Sequence, residues 1–253
     1  MRVLNLDRSD HLAQIPDLFG LPNLEQFSIQ NCNQLITIDK SVGYLHKLKI
    51  LRFISCTKIQ SVPPLSLASL EELEFSYCYS LESFPLMVNE FVGKLKTLRV
   101  IGCTEIKIIP SLILPSLEEL DLSLESFPHV VDGFGDKLKT MIVRDCIKLR
   151  SIPPFKLDLI ETLNLSCCDS LESFPPVVDG FLGKLKTLNV NSCRDLRSIP
   201  RLKLDSLEEL AFRYCYSLER FPLVVASFLE NLKPYLLKVV TISEVYQLSS
   251  WIP

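Results

Sequence analysis

Residues 70–85 read Leu-Glu-Glu-Leu-Glu-Phe-Ser-Tyr-Cys-Tyr-Ser-Leu-Glu-Ser-Phe-Pro, and this stretch decides the fold. Its apolar residues and its cysteine follow the spacing L-x-x-L-x-L-x-x-C-x-x-L-x-x-[IF]-P. The alternation of apolar and polar residues around Leu73 and Phe75 is typical of a short strand, which buries one set of side chains and exposes the other. Pro85 has no N–H to donate to a sheet, so we expect it at the edge of the unit.

The unit recurs along nearly the whole chain, which predicts one domain over residues 1–253. We count about eleven repeats of 21–25 residues, of which the last, residues 237–253, is the weakest. The pattern is the leucine-rich repeat signature, with cysteine in the position that asparagine or cysteine occupies. The first ten repeats have a first or second anchor at Leu4, Leu24, Leu48, Leu70, Leu95, Leu117, Leu138, Ile160, Leu185 and Leu207.

A single repeat cannot bury its apolar side, but stacked neighbours bury a continuous core. The predicted fold class is therefore an α/β repeat solenoid, a curved leucine-rich repeat horseshoe. We expect one parallel sheet on its concave face, and mostly irregular or short 3-10 segments on its convex side.

Eight cysteines occupy one position of the repeat, just after the predicted strand. We expect them to be buried, reduced thiols that meet backbone carbonyls of the turn, in preference to disulfides or metal ligands. Cys167 lies one residue earlier, where we expect solvent exposure. The eight are Cys32, Cys56, Cys78, Cys103, Cys146, Cys168, Cys193 and Cys215.

The sixth repeat departs from the pattern, because Leu124 follows Ser123 directly and four residues, including the cysteine, are missing. The stability of a repeat array is a sum of couplings between neighbours, so we predict its weakest point at residues 123–135.

Composition excludes several classes of function. The net charge is −3, from 27 basic and 30 acidic residues, which gives no reason to expect nucleic acid as the partner. Only 8 glycines are present, and no phosphate-binding loop, C-x-x-C or H-E-x-x-H motif occurs. We therefore predict no enzymatic activity, no catalytic residues, no cofactor and no metal. No apolar run reaches the length of a membrane span, and the N-terminus does not read as a secretory signal.

The residues predicted to point outward from the strands are the best candidates for binding. Arg52, Glu74, Arg99 and Asp121 alternate in sign at one position, which fits either an exposed ladder of ion pairs or a mixed-charge binding strip. Tyrosine and arginine are typical interface anchors. The candidate protein-binding residues are Arg52, Glu72, Glu74, Tyr77, Arg99, Glu119, Asp121, Arg144, Asn164, Asn189, Arg213 and Tyr214. Substitutions at Asn89, Asp132 or Asp179, which lie in the links between repeats on the predicted convex side, should have little effect on recognition of a partner.

The amino-acid sequence of the repeats is more specific than the general repeat signature. The N-terminal stretch 1–7 and the segments 15–18 and 21–25, Ile-Pro-Asp-Leu and Leu-Pro-Asn-Leu-Glu, resemble plant TIR-type nucleotide-binding leucine-rich repeat immune receptors. The segments 41–48, 62–64 and 80–85 fit the same family: Ser-Val-Gly-Tyr-Leu-His-Lys-Leu, Val-Pro-Pro and Ser-Leu-Glu-Ser-Phe-Pro.

The resemblance implies a protein recognition module of a cytoplasmic, and also nuclear, plant immune receptor. Such repeats sense pathogen effectors or guarded host proteins, and they restrain the receptor's switch through its own nucleotide-binding domain. Neither membrane nor nucleic acid is an implied partner. The family's TIR and nucleotide-binding domains are not recognisable in this sequence, so NAD cleavage and nucleotide exchange are assigned to no residue.

Two other classes of repeat protein share part of this pattern. The substrate-recognition repeats of an F-box ubiquitin-ligase adaptor, or of another cytosolic scaffold, also use cysteine, but they are longer and have a helical convex side. An extracellular receptor would show asparagine in the ladder, an L-x-G-x-I-P motif and cysteine caps, none of which occurs.

Overall fold

The computed structural model describes residues 1–88, 92–107, 109–125, 127, 134–154, 156–177, 182–200, 202, 204 and 206–219. The chain divides into two compact units, Met1–Lys137 and Leu138–Pro253. The weak eleventh repeat, residues 237–253, lies outside the described residues. So do Asn89, Asp132 and Asp179.

The first unit contains a parallel sheet with one strand from each of its six repeats. In spatial order the strands are β1 (Val3–Asn5), β3 (Gln26–Gln30), β5 (Ile50–Ile54), β6 (Glu72–Ser76), β7 (Thr97–Ile101) and β8 (Glu119–Leu122). A second parallel pair, β2 (Gln14–Ile15) and β4 (Thr37–Ile38), forms where the first two repeats end. The one helix among the described residues is a 3-10 helix at Lys40–Tyr44, capped by the Asp39 carboxylate on the Ser41 N–H.

The second unit repeats the same arrangement. Its strands are β9 (Thr140–Val143), β10 (Thr162–Asn164), β11 (Thr187–Asn189) and β12 (Glu209–Ala211), again parallel and in chain order.

Strand register follows the repeat pattern. Leu51 on β5 pairs with Leu73 on β6, and Leu73 pairs with Leu98 on β7, so equivalent positions of successive repeats lie side by side. Inward residues are buried and the residues between them are partly exposed. The predicted leucine-rich repeat fold, with a parallel sheet and almost no helix, is confirmed.

Aromatic side chains fill the core of the first unit. Phe27, Phe53 and Phe75 are completely buried. The ring centroids of Phe27 and Phe53 are 6.1 Å apart in an edge-to-face arrangement, and those of Phe53 and Phe75 are 5.7 Å apart and parallel. Both separations lie in the range that aromatic pairs prefer.

The cysteine ladder lies beside the sheet, and all nine cysteines are free. The Cys32 thiol donates to the Leu6 carbonyl at 3.0 Å, and the Cys193 thiol donates to the Leu165 carbonyl at 2.8 Å, in each case in the preceding repeat. Burial raises the pKa of Cys56 to about 11 and that of Cys193 to about 12, so both stay protonated near neutral pH. Of the eight ladder thiols, all but Cys215 are buried; Cys215 is half-buried, in the last described repeat.

Candidate protein-interaction surface

The outward side of the first unit's sheet carries six of the candidate residues, on four neighbouring strands. Arg52 lies on β5, Glu72 and Glu74 on β6, Arg99 on β7, and Glu119 and Asp121 on β8. In register, Arg52 faces Glu74, Glu74 faces Arg99, and Arg99 faces Asp121. Opposite charges therefore do alternate across the sheet at the predicted position.

Five of these residues form one ion-pair network, and its shortest contacts are diagonal. Arg52 donates through Nε and Nη2 to both oxygens of Glu72, at 2.7 Å each. Arg99 donates to Glu119 at 2.7 and 3.0 Å and to Glu72 at 3.0 Å. Glu74, which faces both arginines in register, lies 3.8 and 3.6 Å from them. We call Arg52, Glu72, Glu74, Arg99 and Glu119 the charge network.

The diagonal geometry follows from side-chain length. Strands lie about 4.8 Å apart, which is shorter than an extended arginine, so the guanidinium reaches past its in-register neighbour. The hydrogen bond to Glu72 raises the pKa of Arg52. The network's charges are therefore paired with each other across four neighbouring strands.

Asp121 is buried, although the sequence predicted an exposed acid at this position. Its exposed fraction is 5%. The aspartate side chain is short and stays close to the sheet. Its in-register neighbour Arg99, on β7, extends instead to Glu119, which lies on β8 together with Asp121. Asp121 is therefore not available as a surface contact.

The candidates of the second unit divide into turn-forming and exposed residues. The side-chain oxygens of Asn164 and Asn189 accept the backbone N–H two residues on, at 2.9 and 3.0 Å, so both amides shape the turn after the strand. Arg144 and Arg213 are half-buried. Tyr214 is exposed, with 56% of its surface accessible.

The residue immediately before the ladder cysteine has left-handed backbone geometry, which the sequence did not reveal. We call these residues the left-handed row. In the repeats with a described ladder cysteine, φ lies between 54° and 62°, in the order Asn31, Ser55, Tyr77, Gly102, Asp145, Cys167, Ser192 and Tyr214. Most of them are not glycine, although a non-glycine residue pays roughly 1 kcal/mol for this conformation. Cys167 in this row is half-buried, less accessible than expected.

Two pairs of tyrosines stand out on the surface. The ring centroids of Tyr77 and Tyr79 are 6.5 Å apart, and those of Tyr214 and Tyr216 are 6.3 Å apart. All four rings are exposed. Tyr79 and Tyr216 were absent from the sequence-based candidates, although the recurrence of Tyr-Cys-Tyr at 77–79 and 214–216 was a signal that could have identified them.

Two further features were sought in the sequence and are absent from the described residues. No cluster of three or more His, Cys, Asp or Glu side chains within the described ranges could hold a metal ion. In the same part of the chain, no helix has the length and hydropathy of a membrane span.

Comparison with known proteins relates the repeats to plant disease resistance. No protein-family model matches the chain. A segment of 86 residues is 34% identical to disease resistance protein RML1A of Arabidopsis thaliana. A segment of 82 residues is 35% identical to the Arabidopsis thaliana protein SUPPRESSOR OF npr1-1, CONSTITUTIVE 1. A segment of 85 residues is 33% identical to TMV resistance protein N of Nicotiana glutinosa. Each match covers about a third of this chain (34%, 32% and 34%) and less than a tenth of the relative (9%, 6% and 7%). The resemblance to the repeat region of plant TIR-type resistance proteins is confirmed for these segments.

A solved structure supports the fold alone. The leucine-rich repeat domain of the type III effector XopL aligns with 88% of this chain and 72% of that domain, with a TM-score of 0.57 and 23% sequence identity.

Proposed function

We propose that this chain, whose repeats resemble those of plant TIR-type resistance proteins, is the protein recognition module of an intracellular plant immune receptor. It senses a pathogen effector or a guarded host protein, and at rest it restrains the receptor's switch by contact with the nucleotide-binding domain. The observation that carries the proposal is that the repeats match several disease resistance proteins while the described surface offers exposed side chains for binding. The module has no enzymatic role, and it works in the cytoplasm and the nucleus.

The four tyrosines are the proposed anchors of recognition. Aromatic side chains provide large contact areas at a small entropic cost and are enriched at binding hot spots. Strained backbone positions cluster where function maintains them, and the chain places tyrosine twice at a left-handed position that asparagine or glycine would occupy at lower cost. Each unit therefore has its own proposed pair of anchors, Tyr77 with Tyr79 in the first unit and Tyr214 with Tyr216 in the second.

The charge network plays a supporting role in this proposal. Its arginines and glutamates are paired and partly buried, so a partner would have to break existing ion pairs to bind them. Arg99→Glu would place a fourth carboxylate among Glu72, Glu74 and Glu119. It would therefore disturb the sheet as well as any binding, which makes the tyrosines the cleaner test.

The experiment compares tyrosine variants in a receptor that carries this chain as its repeat region. Tyr77→Ala with Tyr214→Ala should abolish pathogen-triggered cell death, or release it without pathogen if the same surface restrains the switch. The matched control is Tyr44→Ala, because Tyr44 is equally exposed but lies on the 3-10 helix away from the strands. Receptor levels on immunoblots show whether each variant accumulates. A normal response from the double variant, or an equal loss from the control, would refute the proposed tyrosine anchors.

A further inference from the structure

The residue after the first anchor of each of the first ten repeats alternates strictly in charge, with Met1 as the first anchor of the first repeat. We call these residues the charge row: Arg2, Glu25, Lys49, Glu71, Lys96, Glu118, Lys139, Glu161, Lys186 and Glu208. Even-numbered repeats carry an acid at this position, and odd-numbered repeats carry a base. The charge row lies at the entrance of the strands and shares no residue with the charge network.

The backbone places successive members of the row side by side. The Glu25 carbonyl accepts the N–H groups of both Lys49 and Ile50, at 2.8 and 3.1 Å, and the Lys49 carbonyl accepts those of Glu71 and Glu72, at 2.8 and 2.9 Å. The same double acceptance recurs in the second unit, from Glu161 to the following repeat. Each side chain must therefore meet the charge of the neighbouring repeat.

The side chains form the corresponding ion pairs. Lys49 Nζ lies 3.0 Å from Glu25, Lys96 Nζ lies 2.9 Å from Glu71, and in the second unit Lys186 Nζ lies 2.6 Å from Glu161. The hydrogen bond to Lys96 lowers the pKa of Glu71, and the charge of Lys49 on its other side lowers it further. Glu25 and Glu161 likewise have a base of the row on each side, and their pKa values are also lowered.

A second row, in the turn after the ladder cysteine, has the same alternation from the fourth repeat to the tenth, whereas its members in the second and third repeats, Ile36 and Gln60, are uncharged. The backbone N–H of Glu172 donates to the Arg150 carbonyl at 3.0 Å, that of Arg197 donates to the Glu172 carbonyl at 3.2 Å, and that of Glu219 donates to the Arg197 carbonyl at 2.9 Å. In the fourth and fifth repeats the equivalent residues are Glu82 and Lys107. Each of these repeats carries the same sign in both rows.

The first inward position of the strands does not supply this distinction between neighbours. Leu51, Leu73, Leu98 and Leu120 occupy it on four successive strands, so at this position a strand would pack equally well beside the next repeat or the one after it. The segment 69–73 recurs at 116–120 and 206–210, always in an acidic repeat. A pairing that skips one repeat keeps leucine beside leucine at this position but sets like charges against each other.

We infer that the alternating charge of successive repeats fixes the order in which they stack, because stacking is favourable only between repeats whose charge-row residues have opposite sign. Like charges opposite each other on neighbouring strands are destabilising. The effect of each pair is small at an exposed site, but it adds along the row.

The test rearranges the row without changing the net charge of the chain. In the full chain, Glu25→Lys with Lys96→Glu makes the first unit's row three bases followed by three acids. The matched control inverts the sign at all ten positions of the row, so it contains both test substitutions yet restores the alternation. Thermal unfolding and the fraction of chain that refolds after dilution from urea are measured in low salt and in 1 M NaCl.

The test variant should unfold about 5 °C below the natural chain in low salt, because four neighbouring pairs change from attraction to repulsion. It should also refold in roughly half the yield, and most of both losses should disappear at high salt, where surface charges are screened. The inverted control should match the natural chain. Equal losses in the test variant and the control, no loss in either, or a loss that salt does not reduce would overturn the inference.

Discussion

Phe53 lies at the centre of the first unit's aromatic core, and its truncation should be among the most damaging single changes there. The side chain is completely buried, and it contacts Phe27 edge to face and Phe75 face to face. Truncation of a buried phenylalanine to alanine costs about 3–5 kcal/mol, and each aromatic contact contributes about 0.5–1.5 kcal/mol beyond buried area. We expect Phe53→Ala to lower the free energy of unfolding by about 4–5 kcal/mol.

The assay is urea unfolding followed by far-UV circular dichroism, with hydrogen exchange of the β5 amides to locate the loss. The matched control is Phe53→Leu, because leucine occupies the same position in other repeats, at Leu122 and Leu165. The control keeps most of the apolar volume and should cost less than about 2 kcal/mol. A loss below about 1 kcal/mol for Phe53→Ala, or one no larger than for Phe53→Leu, would show that the array relaxes around the cavity, and would refute the reasoning.

The remaining predictions concern thiols, a turn, pH and the shortened repeat. A thiol reagent should modify Cys167 and Cys215 before the other seven cysteines, which should react only in denaturant; rapid labelling of most thiols would contradict the buried ladder. Gly102→Ala should lower the free energy of unfolding by about 1 kcal/mol, because the backbone φ at this position is +62°. The added Cβ would lie 2.8 Å from the Tyr77 ring and should displace it, so unchanged Tyr77 NMR shifts would argue against this contact. The pKa values of the charge-row glutamates Glu25, Glu71 and Glu161 are lowered in the folded chain. Their contribution to the free energy of unfolding is therefore complete above the unfolded-state pKa and is lost as pH falls through the folded-state pKa. The thermal unfolding midpoint should drop between about pH 5 and pH 3, and it should drop less in 1 M NaCl. Limited proteolysis should cut the shortened sixth repeat before other internal links, and equal protection there would mean that the deletion is absorbed without cost.

The sequence determined the repeat, the strand positions and the residues of the core. A side-chain period of two, at fixed spacing and in many copies, leaves only one way to bury the leucines, namely parallel strands with equivalent positions aligned. The pairing of Leu51 with Leu73 follows directly, and so does the burial of most of the ladder cysteines. The family resemblance also came from the sequence, since it depends on the order of particular residues.

Only the tertiary structure decided which side chains are available at the surface. Arg52 pairs diagonally with Glu72 because the reach of a guanidinium exceeds the strand spacing, and a one-dimensional pattern does not contain that distance. Asp121 and Glu74 occupy the same position of the repeat, yet Asp121 is buried and Glu74 is half-buried, because burial depends on what the neighbouring long side chains cover. The left-handed geometry at Tyr77 and Tyr214, and the ring pairs they form, likewise arise where the strand ends and the chain turns toward the next repeat.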